Sequence, residues 1–293
     1  MTLSGLYTAI ITPFTAEGKL DVPAFKMLLD HQLDGGVDGV VVCGSTGEGA
    51  TISLEEKRIL WSTAAEHVDG RIPIIAGSGS NDTAASIAAS KVALESGARA
   101  LLLVTPYYNK PTKAGLIAHY SAIADAVDLP QVIYNVPGRT ATNMTADVQL
   151  AIFDAVPNVV ATKEASANLE QISEIASYAP AHVNVLAGDD SLTLPTISVG
   201  GKGAIAVVSN YAPITFATLV RSALAGDFAT ARSKQTELMP WYKVNFLESN
   251  PIPVKYIMYR KMHVNLTYRL PLVPPSNETV KTLDSMILQG IPL

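Results

Sequence analysis

The 293-residue sequence contains a single cysteine, Cys43, which excludes any framework of internal disulfides. Charge is also scarce. Only 16% of residues are Asp, Glu, Lys or Arg, the net charge is −5, and no run of basic residues occurs. A nucleic-acid or anionic-membrane surface is not expected from such a balance. No apolar stretch reaches the ~20 residues that a bilayer-spanning helix requires. The N-terminus shows neither a basic segment nor a small-residue cleavage site, so a cytoplasmic protein is the expectation. There is no low-complexity linker and no repeat of charge or Pro/Gly that would mark a boundary. What the chain does have is a 48% share of hydrophobic residues, enough for a sizeable core. Cys43 lies in the apolar run Val40-Val41-Val42-Cys43 and is expected to be a small core residue.

Those hydrophobic residues fall into short β-like runs separated by helical stretches. The expected strands are Tyr7 to Ile11, Gly39 to Cys43, Ile72 to Ala76, Ala100 to Thr105, Gln131 to Asn135, Val159 to Lys163, Val183 to Ala187 and Ala204 to Val208. Helix starts carry caps. Ser53 precedes Leu54-Glu55-Glu56, with Glu56 placed for a capping box, and Asp21 with Pro23, Asn81 or Asp82, and Thr145 mark others. Helix ends carry glycine, as at Gly35-Gly36 and Gly97. Eightfold alternation favours an α/β architecture of the (β/α)8 TIM-barrel type over a doubly wound sheet. The first strand leads into Thr12-Pro13-Phe14 and not into the glycine-rich turn of a dinucleotide-binding sheet. The catalytic barrel is expected over 1–225 and a small helical C-terminal extension over 226–293, with helices at Phe228 to Phe246, Pro251 to Met262 and Ser276 to Gln289.

One strand carries an anomaly. Val159-Val160-Ala161-Thr162-Lys163-Glu164-Ala165 has the composition of a strand buried on both faces, where a lysine ammonium is costly to desolvate. Burial of an amine disfavours its charged form, and a neutral amine is the nucleophile that Schiff-base chemistry on a carbonyl requires. The plainer alternative is a strand-end lysine turned to solvent or paired with Glu164. The other strand ends favour the nucleophile, because functional groups of a barrel gather where its strands finish. Here those ends give Gly44-Ser45-Thr46-Gly47-Glu48, Gly77-Ser78-Gly79-Ser80-Asn81, Thr105-Pro106-Tyr107-Tyr108-Asn109, Tyr134-Asn135-Val136-Pro137-Gly138-Arg139-Thr140, Gly188-Asp189-Asp190 and Ser209-Asn210. One rim thus assembles an amine, hydroxyl and phenol proton carriers, and an arginine suited to a carboxylate.

A carbinolamine formed on Lys163 must lose water, which needs a proton at its hydroxyl. Tyr134, on the neighbouring strand, is the candidate donor, with Ser45 or Thr46 as a linking hydroxyl to a second tyrosine. Amphipathic packing of Tyr134 and simple turn capping by Ser45 and Thr46 are the competing explanations. Backbone amides of the Gly44 to Gly47 turn suit a small carboxylate. Asp189-Asp190 lacks histidine or cysteine partners at ligand spacing and fits loop hydrogen bonding better than a metal. Gly200-Gly201-Lys202-Gly203 precedes a strand, at the end opposite the rim, and fits a helix C-cap and turn.

At Gly44-Ser45-Thr46-Gly47-Glu48, Tyr134-Asn135-Val136-Pro137 and Lys163-Glu164-Ala165 the chain resembles the dihydrodipicolinate synthase/N-acetylneuraminate lyase superfamily. The resemblance runs to Asn250-Pro251-Ile252-Pro253-Val254-Lys255, nearly the whole length. It implies a (β/α)8 barrel in which pyruvate forms a Schiff base with Lys163, without metal or organic cofactor. Tyr134 to Thr140 and Thr105 to Pro111 resemble the synthase branch, whose members condense pyruvate with aspartate semialdehyde in lysine and diaminopimelate biosynthesis. That branch implies that Arg139 binds the semialdehyde carboxylate, that Tyr108 enters a neighbouring subunit's site, and that Gly188 and Ile205 supply backbone near pyruvate. It also implies a homo-oligomer, commonly a tetramer built as a dimer of dimers.

Two positions depart from the synthase pattern. Ser45 stands where threonine is usual, as in sialate lyases, and keeps the hydroxyl while losing a methyl that fixes the rotamer. Ala167 stands where glycine is usual. Ser45 keeps open a second reading, a pyruvate-dependent aldolase of sugar acids, and a third reading is a silent barrel that binds a keto acid. Inhibition by lysine in such families implies a site at positions matched here by Lys57, Asn81, Ala85 and Tyr107. With Lys57 and Ala85 in place of histidine and glutamate, weak or absent inhibition is expected.

Overall fold

In the computed structural model, residues 2–291 are described. Residues 1, 292 and 293 of the two expected segments lie outside the described residues. Eight parallel strands close into a barrel in chain order, each beside its sequence neighbour and β8 beside β1. The first half runs β1 (Gly5–Ala9), α1 (Val22–Asp34), β2 (Gly39–Val42), α2 (Leu54–Val68), β3 (Ile74–Gly77), α3 (Thr83–Glu95), β4 (Ala100–Val104) and α4 (Lys113–Ala126). The second half runs β5 (Gln131–Asn135), the single-turn α5 (Pro137–Thr140), α6 (Ala146–Ala155), β6 (Val159–Glu164), α7 (Leu169–Tyr178), β7 (Asn184–Ala187), α8 (Thr193–Ser198), β8 (Gly203–Ala206) and α9 (Pro213–Leu224). Three more helices follow: α10 (Phe228–Val244), α11 (Ile252–Met262) and α12 (Asn277–Gln289).

The strand composition explains the arrangement. With helices outside and side chains filling the inside, both faces of each strand are buried, so β-branched and aliphatic runs replace strict alternation. Alternation survives in what each face touches. Along β1, Tyr7 and Ala9 join an inner cluster with Val41, Ile75, Val132 and Ile205, while Leu6 faces the helices with Val40, Phe25 and Trp61. The C-terminal helices share that outer layer. Phe216 of α9 meets Tyr242 of α10 edge to face at 6.1 Å, and Val254, Ile257 and Leu283 are buried in the same cluster.

Local signals set most boundaries. Ser53 and Glu56 form the capping box at α2, with Glu56 N donating to Ser53 Oγ at 3.3 Å and Ser53 N to Glu56 Oε2 at 3.0 Å. Asp21 and Asp82 cap α1 and α3. Thr145 occupies the N-cap of α6, yet its hydroxyl donates to the Asp147 carboxylate and caps no backbone amide. Strand ends moved where polar groups took the amides. Pro73 has no N–H, and the ladder of β3 starts only at Ile74. β8 stops at Ala206 because Val207 N and Val208 N turn to the Asp190 carboxylate, at 2.9 and 2.7 Å. Gly203 faces Gly5 across β1 and β8 so closely that a Cβ there would stand 1.9 Å from Gly5 O, and its φ of +144° favours glycine as well. No helix among the described residues is long and apolar enough to cross a membrane.

Candidate active site

At the C-terminal ends of the strands lie two cavities that share Ser45, Tyr134, Arg139 and Asn250 and so form one site. The inner chamber, about 120 Å³, is lined by Lys163, Thr46, Gly188 and Asp189. The outer one, about 480 Å³, opens between the turn after β2, the turn after β3 and residues 249–251 and 271–272 of the C-terminal segment.

Strand pleating decides which groups face this space. On β6, Lys163 points inward while Thr162 and Glu164 point toward the helices. Lys163 is 5% exposed, and its Nζ lies 4.4 Å from the centroid of the Tyr134 ring, on the residue paired with it across β5 and β6. No carboxylate is within ion-pair distance of Lys163 among the described residues. Glu164, the neighbour in sequence, accepts from Asn135, Gln149 and Gln171 on the opposite face. The solvent-turned or Glu164-paired lysine is therefore not what the fold makes.

A thiol in the same wall is disarmed. Cys43 is buried at the top of β2, and burial pushes its thiol up to about 12, which leaves it protonated near neutral pH.

The turn after β2 is tight, with Gly49 N donating to Gly44 O at 3.0 Å and Glu48 N to Ser45 O at 3.1 Å. It presents Ser45, exposed, at the rim and Thr46, buried, inside. Thr46 Oγ1 accepts from Asn250 Nδ2 at 3.0 Å, which leaves its own hydroxyl hydrogen for an incoming group. Arg139, on α5, donates through Nη2 to Asn250 O at 3.2 Å, and its other donors remain available to the cavity. Glu48 closes the turn at a φ of 54° with its carboxylate in a buried ion pair with Lys255 of α11, N to O 2.5 Å.

Not every expected residue meets here. Tyr108 is 89% exposed at a φ of 73° and lies outside both cavities, whereas Tyr107 lines the outer one. No hydrogen bond joins Ser45 to Tyr134 or Tyr108 among the described residues. Ile205 is enclosed in the barrel interior below the chamber, and Gly188 lines it, where a Cβ would come 2.7 Å from that of Ala165. Asp189 accepts from Ser191, and Asp190, raised to about 6 by burial, accepts from Val207 and Val208. Both carboxylates thus serve loop hydrogen bonds. Lys57 lines the outer cavity beside Tyr107, its amine pKa lowered by burial, and Asn81 Nδ2 donates to Tyr107 O at 3.1 Å. Ala85 is exposed on α3. Ala167 adopts a φ of 59°, the left-handed region where glycine is the easier residue.

Sequence reasoning did not single out Asn250 or Lys255 as site residues. Each lies more than 200 residues from its partner in the turn, |i−j| being 204 and 207, and no local pattern links them.

A model of the dihydrodipicolinate synthetase family matches residues 2–289. The chain belongs to that family. A 4-hydroxy-tetrahydrodipicolinate synthase of Nitratidesulfovibrio vulgaris (strain DP4) is 46% identical over 274 residues, 94% of this chain and 94% of the relative. One from Salinibacter ruber is 43% identical, covering 94% of this chain and 91% of the relative. Among solved structures, dihydrodipicolinate synthase from Aquifex aeolicus superposes with a TM-score of 0.96 at 40% identity, over 99% of both chains.

Proposed function

We infer that the chain condenses pyruvate with aspartate 4-semialdehyde to 4-hydroxy-tetrahydrodipicolinate, a lyase reaction of lysine and diaminopimelate biosynthesis, through a Schiff base on Lys163. The observation that carries this is a buried amine without a carboxylate partner among the described residues, set against a phenol at the floor of a two-chambered site.

The two chambers suit two substrates. Pyruvate is small enough for the inner one, where the free hydroxyl hydrogen of Thr46 can meet its carboxylate while the keto carbon faces Lys163. The amine adds, and the carbinolamine loses water on receiving a proton from Tyr134. Loss of a methyl proton from the iminium gives an enamine, whose carbon attacks the aldehyde held in the outer chamber. The amino group of that second substrate then displaces Lys163 and closes the ring of the product. Arg139, at the junction of the chambers, holds the semialdehyde carboxylate by charge-assisted hydrogen bonds.

The proton relay extends from Tyr134 through Ser45 to Tyr108 of a second copy. Tyr108, outside its own cavity and almost fully exposed, is supplied in trans within a homo-oligomer, a tetramer arranged as a dimer of dimers. Ser45 retains the hydroxyl this relay needs. The enzyme works in the cytoplasm on soluble metabolites.

Two results test the reading. Arg139→Ala should raise the KM for semialdehyde by about 10- to 100-fold, the worth of a charge-assisted hydrogen bond, while borohydride trapping of pyruvate proceeds as before. Equal loss of both would remove the assignment of Arg139 to the second substrate. Lysine should inhibit weakly, because the Lys57 and Tyr107 side of the outer cavity offers an amine, and Ala85 no carboxylate, to a cationic amino acid. Rate assays across a lysine series check this, and strong inhibition below millimolar concentration would contradict it.

A further inference from the structure

Behind the strand that bears Lys163 lies a polar cluster that none of these steps uses. Glu164 is 1% exposed, faces the helix layer, and has no cationic partner among the described residues. Its surroundings are donors instead. Oε1 accepts from Ser166 N at 2.8 Å, and Oε2 from Gln149 Nε2 at 2.5 Å and Gln171 Nε2 at 3.3 Å. Asn135 Nδ2 reaches both oxygens at 3.1 Å. Leaving a buried carboxylate with any of these removed is costly, so the group is strongly held in place.

The partners are not arbitrary. Gln149, on α6, also accepts through Oε1 from Thr162 Oγ1 at 2.8 Å. One side chain therefore grips the residue before Lys163 and the residue after it. Asn135 directly follows Tyr134 and pairs with Glu164 across β5 and β6, and its Oδ1 accepts from Met144 N at 2.9 Å. Gln171, from α7, exchanges hydrogen bonds with Asn143 at 2.9 and 3.3 Å, and Glu164 O accepts from Gly188 N at 2.7 Å. The cluster thus joins the backbone flanking Lys163 to the backbone flanking Tyr134, and both to α6 and α7.

We propose that Glu164 and Gln149 are positioning residues for the reaction at Lys163. They form a bracket behind the strand that fixes the amine and the Tyr134 phenol in mutual register. This rests on the Schiff-base reading of Lys163. A displacement of about 1 Å at an attacking group can cost on the order of 100-fold in rate. Loosening the bracket therefore acts on pyruvate capture and not on semialdehyde binding, since Arg139 stands on α5 and is bonded to the C-terminal segment.

The experiment uses the full chain as wild type, Glu164→Gln and Thr162→Val. The first replaces an all-acceptor group by one that must turn two N–H donors toward donors. The second is near-isosteric and removes one arm of the bracket, so the proposal stays testable if the first fails to fold. Measured are the rate of pyruvate trapping by borohydride per folded protein, kcat, the KM for semialdehyde, and the melting temperature. The expected result is a trapping rate and kcat reduced by about 10- to 100-fold in Glu164→Gln and by a smaller factor in Thr162→Val, with semialdehyde KM changed by less than about threefold. Trapping within twofold of wild type in either folded variant overturns the proposal. So does a loss that disappears once rates are normalised to folded protein, which marks a purely structural role. If wild type itself fails to trap pyruvate, it is the Schiff-base reading that falls.

Discussion

Replacing Lys163 by methionine should abolish condensation, by a factor on the order of 10^4 or more, and should abolish borohydride-dependent addition of a reduced pyruvyl group to the protein. Methionine is the informative choice because it fills roughly the same volume and leaves no cavity. Lys163 sits among Ala161, Tyr134 and Leu186 in the barrel interior, 5% exposed and without a carboxylate partner among the described residues. Desolvating an amine there is a cost to folding that an apolar side chain does not carry. The variant should consequently melt at the same temperature as wild type or above it. Opposite directions for activity and stability separate a nucleophile from a structural lysine, because loss of a structural contact lowers both. Two assays on one preparation suffice: peptide mass mapping after treatment with pyruvate and borohydride, and a thermal unfolding scan. Residual labelling of the peptide around position 163 in Lys163→Met, or turnover within tenfold of wild type, would show that another group carries the chemistry. Cys43, the thiol in the wall, is pushed up to about 12 by burial and stays protonated, so it is not expected to take over the chemistry.

Much of this site can be read in the sequence because a barrel converts chain order into spatial order. Strands five and six must be neighbours, so Tyr134 and Lys163 are close whichever residues surround them, and the pair lies directly opposite in register. The same rule places the turn after β2, Arg139 and Gly188 on one rim. Periodicity also separates Lys163 from Glu164, since adjacent residues on a strand face opposite layers. What the sequence does not display are contacts made outside the repeating unit. Asn250 reaches Thr46 and Arg139 from beyond the eighth strand, and nothing in Asn250-Pro251-Ile252-Pro253 indicates where the chain will return. The amides around Glu164 are likewise invisible, because Gln149 and Gln171 sit on different helices and look like ordinary polar positions. Boundaries failed for a third reason. β8 ends early because a side chain, Asp190, captures the amides that would have continued it, and hydrophobicity carries no record of that competition.

Lys255→Met should destabilise the chain by about 3–5 kcal/mol, the usual consequence of removing one partner from a buried ion pair. Lys255 and Glu48 are each 1% exposed at the side chain, with Nζ 2.5 Å from Oε1. The ammonium is further held by Thr267 O at 2.6 Å and lies 4.4 Å from the Phe14 ring centroid and 5.0 Å from that of Tyr268. Taking the lysine away leaves the Glu48 carboxylate buried with Arg269 N, at 3.2 Å, as its one direct donor among the described residues. The loss reaches the active site because Glu48 ends the turn that presents Ser45 and Thr46, in a left-handed conformation that costs energy unless the surroundings enforce it. Pyruvate KM should accordingly rise along with the drop in stability, unlike in Arg139→Ala. The double variant Glu48→Gln/Lys255→Met removes both charges and should recover a large part of the stability, since an uncompensated carboxylate and not the missing attraction makes the single change severe. Denaturant midpoints of the two single variants and the double variant measure the coupling directly. A single-variant loss under about 1 kcal/mol, or strict additivity in the double, would mean that water reaches Glu48 and that the pair does not clamp the C-terminal segment to the catalytic turn.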